Sequence, residues 1–538
     1  MGLRFLSSNP EIRIRIVREG LLLPFLVLAR SDHLDYKRTG AAAFASFSLS
    51  EINKSKLVRE GAMDQMLKCA RYDDLQVKRD CTFALANIVG SVEHQDPFVE
   101  AGGIETLVEV GLSPDARVQR DASRALASLS LTTALRPALI ARGALASVFS
   151  LARSLDVTSQ RYATLALSNL ASAPTGPDKV RVVKAGAVRP LLFLARFPDL
   201  EIQRCAALAL ANLALGGHGR NKERLVEEGA VAPLVDLARF PDVGIQHCGA
   251  LALAALSLGQ QDITKLGLMQ GGALEPLLDL ARSVDLHCVR AATFALGAMA
   301  ECGEVKSNAV KRGLLESVVA AGSFGDLEVK RNCAYVLALM CEELEFHDKI
   351  VANGGMEAVI SGAGVEDVEC QEYAAFSLAH LASNRDYQMR LVEAGALRPL
   401  VAMMSVHAQP RHYAGLALLK LADNFESHQQ IAQEGGIQAL LRLARSRSTD
   451  EELQYKSALT VGHLASNAVK LLSGGGKKSS GGSGGASSRR SGSKGSKGGK
   501  GSSTPKLPKL KRSTAQQRTK EYLESTVNKA QTGGQGES

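Results

Sequence analysis

The sequence predicts an all-α solenoid of about eleven three-helix repeats, and two features of the chain indicate this fold class. The first is a glycine that returns at intervals of about 41 to 43 residues through most of the 538-residue chain. A unit of this length cannot bury its apolar face alone, so consecutive copies must stack. The second is that apolar residues recur with helical spacing in each copy, without strand-like alternation. The recurring glycines are Gly20, Gly61, Gly102, Gly143, Gly186, Gly229, Gly272, Gly313, Gly354, Gly395 and Gly435.

The first two helices of each repeat are expected on either side of this glycine. In the sixth copy, an apolar-faced stretch from Asn221 to Glu228 stops at Gly229. Glycine suits this position because it adopts a positive φ without steric cost, which ends a helix. Pro233 then falls in the first turn of the second helix, where its missing N–H removes no helical hydrogen bond. The pattern therefore predicts a short helix, a glycine joint and a second helix.

The third and longest helix is expected to begin near an aspartate thirteen residues after the glycine. A carboxylate at that point can accept hydrogen bonds from the first turn and oppose the helix dipole. In the fifth copy this helix is predicted over Ile202 to Leu215, with Ala and Leu on most faces, as in a helix buried between neighbours. The aspartate recurs in eight successive copies, as Asp74, Asp115, Asp156, Asp199, Asp242, Asp285, Asp326 and Asp367.

These motifs resemble the armadillo repeat. The joint reads E-E/A-G-A-V/L-x-P-L-V/L, and the third helix reads V/I-Q-R-x-A…A-L-A-N-L-A. The resemblance runs from residue 9 to about residue 470, and it implies a right-handed superhelix whose third helices line a concave groove. HEAT repeats are the nearest alternative, but the glycine joint and the three-helix rhythm favour armadillo. Tetratricopeptide repeats, with a period near 34 residues, are excluded.

The chain divides into an array and a basic tail. Residues 1–8 are expected to be the end of a truncated preceding repeat, residues 9–472 the armadillo array, and residues 473–513 a disordered Gly/Ser/Lys-rich tail. A short helix is predicted over residues 514–530, followed by a disordered terminus at 531–538. From residue 473 onward there are 14 Lys/Arg and 3 Glu, a net charge of +11, which leaves about −2 of the chain's +9 on the repeats.

The basic tail has three interpretations. It can be a solvated linker, or it can make weak, sequence-independent contact with an anionic membrane or with nucleic acid. Its stretch from Lys506 to Arg512 resembles a weak nuclear-import signal. The residues expected to make such contacts are Lys477, Lys478, Arg489, Arg490, Lys509, Lys511 and Arg512.

Residues expected to bind a partner lie on the third helices, at positions 18, 22 and 26 after each glycine. Residues four apart share one side of a helix, so these positions form one surface, here called the third-helix face. Arginine dominates position 18, aromatic and aliphatic residues dominate position 22, and three repeats carry asparagine at position 26. The predicted groove residues are Arg79, Asn87, Arg120, Arg124, Arg161, Asn169, Arg204, Asn212, Arg290, Phe294, Arg331, Tyr335 and Phe376.

The composition of this face predicts the chemistry of the partner. An asparagine amide both donates and accepts, so it can hold the backbone of an extended peptide. Importin-α, an armadillo protein, adds tryptophan at position 22, whereas this chain has no tryptophan, and its arginines would repel a basic import signal. The chain is more similar to β-catenin, whose groove takes acidic extended partners, and to vacuole-tethered armadillo scaffolds. The resemblance therefore implies an acidic, extended protein segment as the partner.

Each set of groove residues also has a structural interpretation. Arginine at position 18 can pair with the aspartate at position 13 of its own or the next repeat, and still keep donors for a partner. The asparagines can join neighbouring helices, and Phe83, Phe294 and Phe376 can pack between repeats.

We expect a non-enzymatic scaffold that binds protein segments and no small-molecule substrate. No catalytic triad or phosphate-binding loop can be assembled, so no catalytic residue and no cofactor is predicted. His247–Cys248 and His287–Cys288 occupy different repeat positions, so no metal site is predicted. The nine scattered cysteines indicate a cytoplasmic protein, with a nuclear location as the alternative. The competing functions are a membrane- or organelle-associated adaptor and a nucleic-acid-associated protein.

Overall fold

A computed structural model describes five stretches of the chain, and all regular secondary structure within them is helical. These stretches are residues 9–216, 220–405, 408–445, 451–474 and 513–533. The chain forms two compact units, the first comprising Met1–Val305 with Gln516–Ser538 and the second comprising Lys306–Ala515. Each unit consists of stacked three-helix repeats, and this architecture is the predicted all-α solenoid.

Eleven repeats follow the eleven glycines, each with a first, a second and a third helix. Repeats 1 to 4 contain Pro10–Arg18, Leu22–Arg30 and Leu34–Phe47; Glu51–Arg59, Ala62–Ala70 and Leu75–Val89; Gln95–Glu100, Gly103–Gly111 and Ala116–Leu131; Arg136–Ala141, Ala144–Leu151 and Val157–Ala171. Repeats 5 to 7 contain Gly176–Lys184, Val188–Ala195 and Leu200–Leu215; Arg220–Glu227, Val231–Ala238 and Val243–Ser257; Asp262–Gln270, Leu274–Leu280 and Leu286–Met299.

Repeats 8 to 11 continue the same order. They contain Gly303–Lys311, Leu314–Gly322 and Leu327–Cys341; His347–Ala352, Gly355–Ala363 and Val368–Leu381; Arg385–Glu393, Leu397–Met403 and Ala408–Leu421; His428–Gln433, Gly436–Arg445 and Glu451–Gly474. A 3₁₀ turn precedes the first helix in four repeats, at Val92–His94, Thr133–Leu135, Leu344–Phe346 and Phe425–Ser427. A further helix, here called the C-terminal helix, spans Ser513–Gly533.

The joint between the first and second helices has the predicted geometry. All eleven recurring glycines have a positive φ, between 76° and 95°. At Gly229 the φ is 87°, and a Cβ placed there would meet no atom within 4 Å. Crowding therefore does not select glycine at this joint; the left-handed backbone conformation does. The N–H of Ala230 donates to the carbonyl of Leu225 at 2.9 Å, which closes the end of the first helix.

The third helices supply most of the core. Consecutive third helices contact one another through repeats 1 to 7 of the first unit and through repeats 8 to 11 of the second. In repeat 5 every residue from Ala206 to Leu215 is buried, which explains why Ala and Leu occupy most faces of this helix. No described helix alone is long and apolar enough to span a membrane; Thr133–Ala141 and Ala144–Leu151 meet that test only as a pair bent by 94°.

Candidate functional site

The aspartate at position 13 caps the third helix in all eight repeats that carry it. Its side chain accepts a hydrogen bond from a backbone N–H of the first turn, for example from Ser159 to Asp156 at 2.9 Å. At least five of these carboxylates also form an ion pair with an arginine of the preceding repeat. The capping residues are Asp74, Asp115, Asp156, Asp199, Asp242, Asp285, Asp326 and Asp367.

The arginine at position 18 pairs with the aspartate of the next repeat, which is the structural interpretation of this position. Arg120, for example, donates through Nη2 to Asp156 at 2.8 Å and through Nε at 3.2 Å. This hydrogen bond is the main cause that lowers the pKa of Asp156 to about 2. The pairs are Arg38–Asp74, Arg79–Asp115, Arg120–Asp156 and Arg161–Asp199 in the first unit and Arg331–Asp367 in the second.

The ladder of ion pairs is interrupted in repeats 5 and 6. Arg204 pairs with Glu201 of its own helix at 2.7 Å, and Asp242 caps its helix without an arginine at ion-pair distance among the described residues. Repeat 6 has His247 instead of arginine at position 18. Arg290, at position 18 of repeat 7, is half-buried. The ladder of arginine–aspartate pairs is therefore not continuous along the array.

His247 lies beside His287 of the next repeat, with ring centroids 5.3 Å apart. Burial, with a smaller contribution from His287, lowers the pKa of His247 to about 4, so the ring is neutral near pH 7. Within the described ranges, no group of three or more His, Cys, Asp or Glu side chains is arranged to hold a metal ion.

A cluster of contacts occupies the third-helix face of repeats 2 and 3. Arg124 donates from Nη1 to Asn87 Oδ1 at 2.9 Å and from Nη2 to Asp121 at 3.2 Å, and its guanidinium lies 5.5 Å from the ring centroid of Phe83. Asn87 donates in turn to Ser48 at 2.9 Å. The structure thus brings the predicted residues Asn87 and Arg124 together. Both stay partly exposed, so this part of the face can meet a partner.

Other predicted groove residues are buried, and this overturns their placement on an open surface. Asn169 is only 1% exposed and donates to Ser130 of the preceding third helix at 3.0 Å, while Asn212 is 3% exposed. The bond from Asn169 to Ser130 joins two consecutive third helices, as the helix-joining alternative requires. Only Asn87 among the three retains partial exposure.

The aromatic groove residues are buried as well, so their packing interpretation holds. Phe294 is buried in repeat 7 of the first unit. In the second unit the ring of Tyr335 lies 5.3 Å from that of Tyr373, and the ring of Phe376 lies 5.3 Å from that of Tyr413 in an edge-to-face arrangement. Each of these contacts links one repeat to the next. The predicted apolar second half of the groove is therefore part of the core.

A second ladder was missed by the sequence analysis. The residue seven before the joint glycine is polar in repeats 2 to 11, and its side chain bonds the end of the preceding third helix, as His347 does at Cys341, or the end of its own repeat's third helix, as Lys306 does at Leu339. Gln95 donates to the carbonyls of Val89 and Ser128, at 3.0 Å and 3.3 Å. The sequence contained a signal for this ladder, because a polar residue recurs seven positions before the joint glycine. The set is Lys54, Gln95, Arg136, Lys179, Lys222, Lys265, Lys306, His347, Gln388 and His428.

The basic-tail residues expected to contact membranes or nucleic acid all lie outside the described residues, as do residues 1–8. The structure therefore places neither the predicted tail contacts nor the predicted remnant of a preceding repeat. They stay predictions.

Two segments of the chain match known families. Residues 177–215 match the armadillo/β-catenin-like repeat, and residues 346–463 match the SIL1/FES1/HPBP1 C-terminal domain. The crystal structure of an engineered protein from the Northeast Structural Genomics Consortium is 27% identical; the match covers 82% of this chain and 98% of that one, with a TM-score of 0.54. No curated protein matches the chain significantly.

Stacked three-helix repeats with glycine joints define a helical-repeat protein, a class whose architecture suits protein interaction. The two matched families are non-catalytic in general and indicate protein partners. Within this class, the chain is an armadillo-like helical-repeat protein, as the predicted resemblance to the armadillo repeat implies.

Proposed function

We propose that the protein is a non-enzymatic scaffold that binds extended acidic protein segments on the third-helix face of repeats 2 to 4. The observation that carries the proposal is that two arginines at position 18 are exposed and have hydrogen-bond donors left for a partner. Arg120 and Arg161 have side chains 48% and 57% exposed, and each uses Nε and Nη2 for its aspartate. Among the described residues, Nη1 of Arg120 and Nη1 of Arg161 have no acceptor, so each guanidinium keeps donors for a carboxylate of the partner.

The binding stretch in this proposal is shorter than the whole array. Packed helices lie roughly 8–10 Å apart, so three repeats give a path of about 25–30 Å. An extended chain advances about 3.3–3.6 Å per residue, so roughly eight residues fit along it. The partly exposed Arg124 and Asn87 lie on this path, whereas the buried asparagines and aromatic residues do not contribute. Nine free cysteines support the cytoplasmic location that we propose with this function.

The test uses the full chain and labelled ten-residue peptides of alternating Glu and Gly, or of alternating Lys and Gly. Fluorescence anisotropy should show binding of the Glu peptide alone, with an affinity that falls as salt rises. Arg124→Gln should weaken binding about threefold or more, because the partner loses a partly buried cation.

Arg59→Gln is the control with the same charge change, because Arg59 is exposed and belongs to the first helix of repeat 2 and not to a third helix. Circular dichroism must show that both variants keep their helix content. Equal effects of the two substitutions, or equal affinity for the Glu and Lys peptides, would contradict the proposed site.

A further inference from the structure

The C-terminal helix is docked onto the first unit. The described part of this helix from Gln516 belongs to the same compact unit as the repeats up to Val305, although a long stretch of chain separates them in sequence. Leu523 and Val527, four residues apart on one face of this helix, are both 0% exposed. A lone helix leaves its side chains open to water, so this burial requires a surface of the repeats against that face.

Two equivalent lysines mark where the helix docks. Lys179 and Lys222 occupy the same position in the first helices of repeats 5 and 6, on the second ladder described above. Lys520 of the C-terminal helix repels both lysines, and Glu524 attracts Lys179. The docked helix therefore presents one unfavourable and one favourable charge to this pair.

The repeats themselves provide no carboxylate for these two lysines. Elsewhere on the ladder a lysine has one: Lys265 binds Glu301 and Lys306 binds Glu343, each at 2.6 Å. Lys222 donates only to the carbonyl of Leu258, at 3.4 Å, and no described carboxylate lies within ion-pair distance of Lys179 or Lys222. Both are half-buried. Burial lowers the pKa of both, that of Lys222 to about 8, so each charge is poorly compensated.

We propose that the surface around Lys179 and Lys222 is a docking site for an amphipathic helix with two carboxylates four residues apart, which the C-terminal helix occupies as a weak built-in ligand. The preferred partner helix has an acid at the place of Lys520 and another at the place of Glu524, with apolar residues at those of Leu523 and Val527. Residues four apart are neighbours on a helix, so both acids would face the lysine pair, whereas the present Glu524 pairs with Lys520 of its own helix at 3.9 Å. The partner is thus a helical segment of another protein, distinct from the extended segment proposed for repeats 2 to 4.

The test compares the wild-type full chain with a vacated chain that carries Leu523→Ser and Val527→Ser. A labelled peptide of residues 513–533 is added in trans and followed by fluorescence anisotropy. We expect the vacated chain to bind it about tenfold or more tightly than the wild-type chain, because a tethered ligand competes at high effective concentration. Light scattering should find both chains monomeric, which assigns the occupant to the same molecule.

The preference for an acid at the place of Lys520 is tested by measuring how peptide variants bind to the vacated chain. A Lys520→Glu peptide should bind about fivefold more tightly than the wild-type peptide, because repulsion becomes attraction. Adding Lys222→Met to the vacated chain should remove most of that gain. Lys520→Gln and Ser525→Glu change the peptide charge by the same amount, but Lys520 lies beside the face of Leu523 and Val527 and Ser525 lies opposite it, so only the former should improve binding beyond twofold.

Three results would overturn the proposal. The first is equal affinity, or no binding, of the wild-type peptide on wild-type and vacated chains. The second is a gain for Ser525→Glu as large as that for Lys520→Gln, since the lysine pair would then select nothing. The third is a dimeric wild-type chain that becomes monomeric when vacated, because the helix would then come from a second copy.

Discussion

Asp156→Asn separates the two roles of the ladder aspartate. Asp156 accepts from the N–H and the hydroxyl of Ser159, at 2.9 Å and 2.8 Å, and also binds Arg120. Asparagine is as good a helix cap as aspartate, so the substitution keeps the cap and removes the charge. The change in the free energy of unfolding therefore reports the ion pair between repeats 3 and 4.

The magnitude follows from the pKa of Asp156. Its hydrogen bond with Arg120 is the main cause that lowers this pKa from 3.8 to about 2. One pKa unit corresponds to 1.36 kcal/mol, so the linkage contribution has an upper limit of ~2.5 kcal/mol. Arg120 is about half exposed, and solvent screening reduces the expected loss to about 1 kcal/mol at pH 7.

The pH dependence has a definite sign. The folded-state pKa of Asp156 is depressed, so the stabilisation is complete above the unfolded pKa near 4 and is lost as the pH falls toward 2. The stability gap between wild type and Asp156→Asn should therefore be constant from pH 7 to pH 5 and shrink below pH 4. Urea denaturation, with hydrogen exchange read in repeats 3 and 4, measures it.

Asp242→Asn is the matched control, because Asp242 caps its helix while Arg204 pairs elsewhere. It should change the free energy of unfolding by less than about 0.5 kcal/mol. Equal losses for Asp156→Asn and Asp242→Asn at pH 7, or a gap that does not shrink in acid, would refute the assignment of stability to the arginine pair.

Three further substitutions test the packing. Leu210→Asp places an unpaired charge in a buried helix and should abolish hydrogen-exchange protection around repeat 5; unchanged protection would mean a wrong helix register. Gly229→Ala should cost about 1–2 kcal/mol in urea denaturation because of its positive φ, whereas Gly462→Ala, in an exposed helix interior, should be neutral or stabilising. Lys265→Met removes the ion pair of the buried Glu301 side chain with Lys265 and should cost about 3 kcal/mol or more, most of which Lys265→Met with Glu301→Met should recover.

Local chemistry made much of the fold predictable from sequence. A glycine at each joint and an aspartate at position 13 act within a few residues of themselves, so the sequence specifies their roles directly. In repeat 5 the third helix was predicted over Ile202 to Leu215 and runs from Leu200 to Leu215. Capping and positive φ need no knowledge of the neighbouring repeats, which is why these elements were found.

Which side chains of the third-helix face are exposed, and which pair with the next repeat, depends on contacts between repeats. The sequence motif does not report these contacts. Asn87 and Asn169 share a repeat position, yet the first is partly exposed and the second is buried. Arg204 and Arg331 each have a glutamate three residues earlier, yet only Arg331 also reaches the next aspartate. These differences lie in contacts between different repeats, so the motif alone could not separate them.

Among the described residues of the first unit, two consecutive junctions differ from those before them in having no arginine–aspartate pair. Arg204 pairs with Glu201 of its own helix, so the junction between repeats 5 and 6 has no such pair. His247 stands in place of the next arginine, so the junction between repeats 6 and 7 has none either. Packing between the third helices holds these two junctions, so their stability should depend less on salt than that of the junctions with arginine pairs. The C-terminal helix lies beside Lys179 of repeat 5 and Lys222 of repeat 6. It therefore bridges the junction between these two repeats. Release of the C-terminal helix should then loosen the junction between repeats 5 and 6, while the junctions with arginine–aspartate pairs stay as they are.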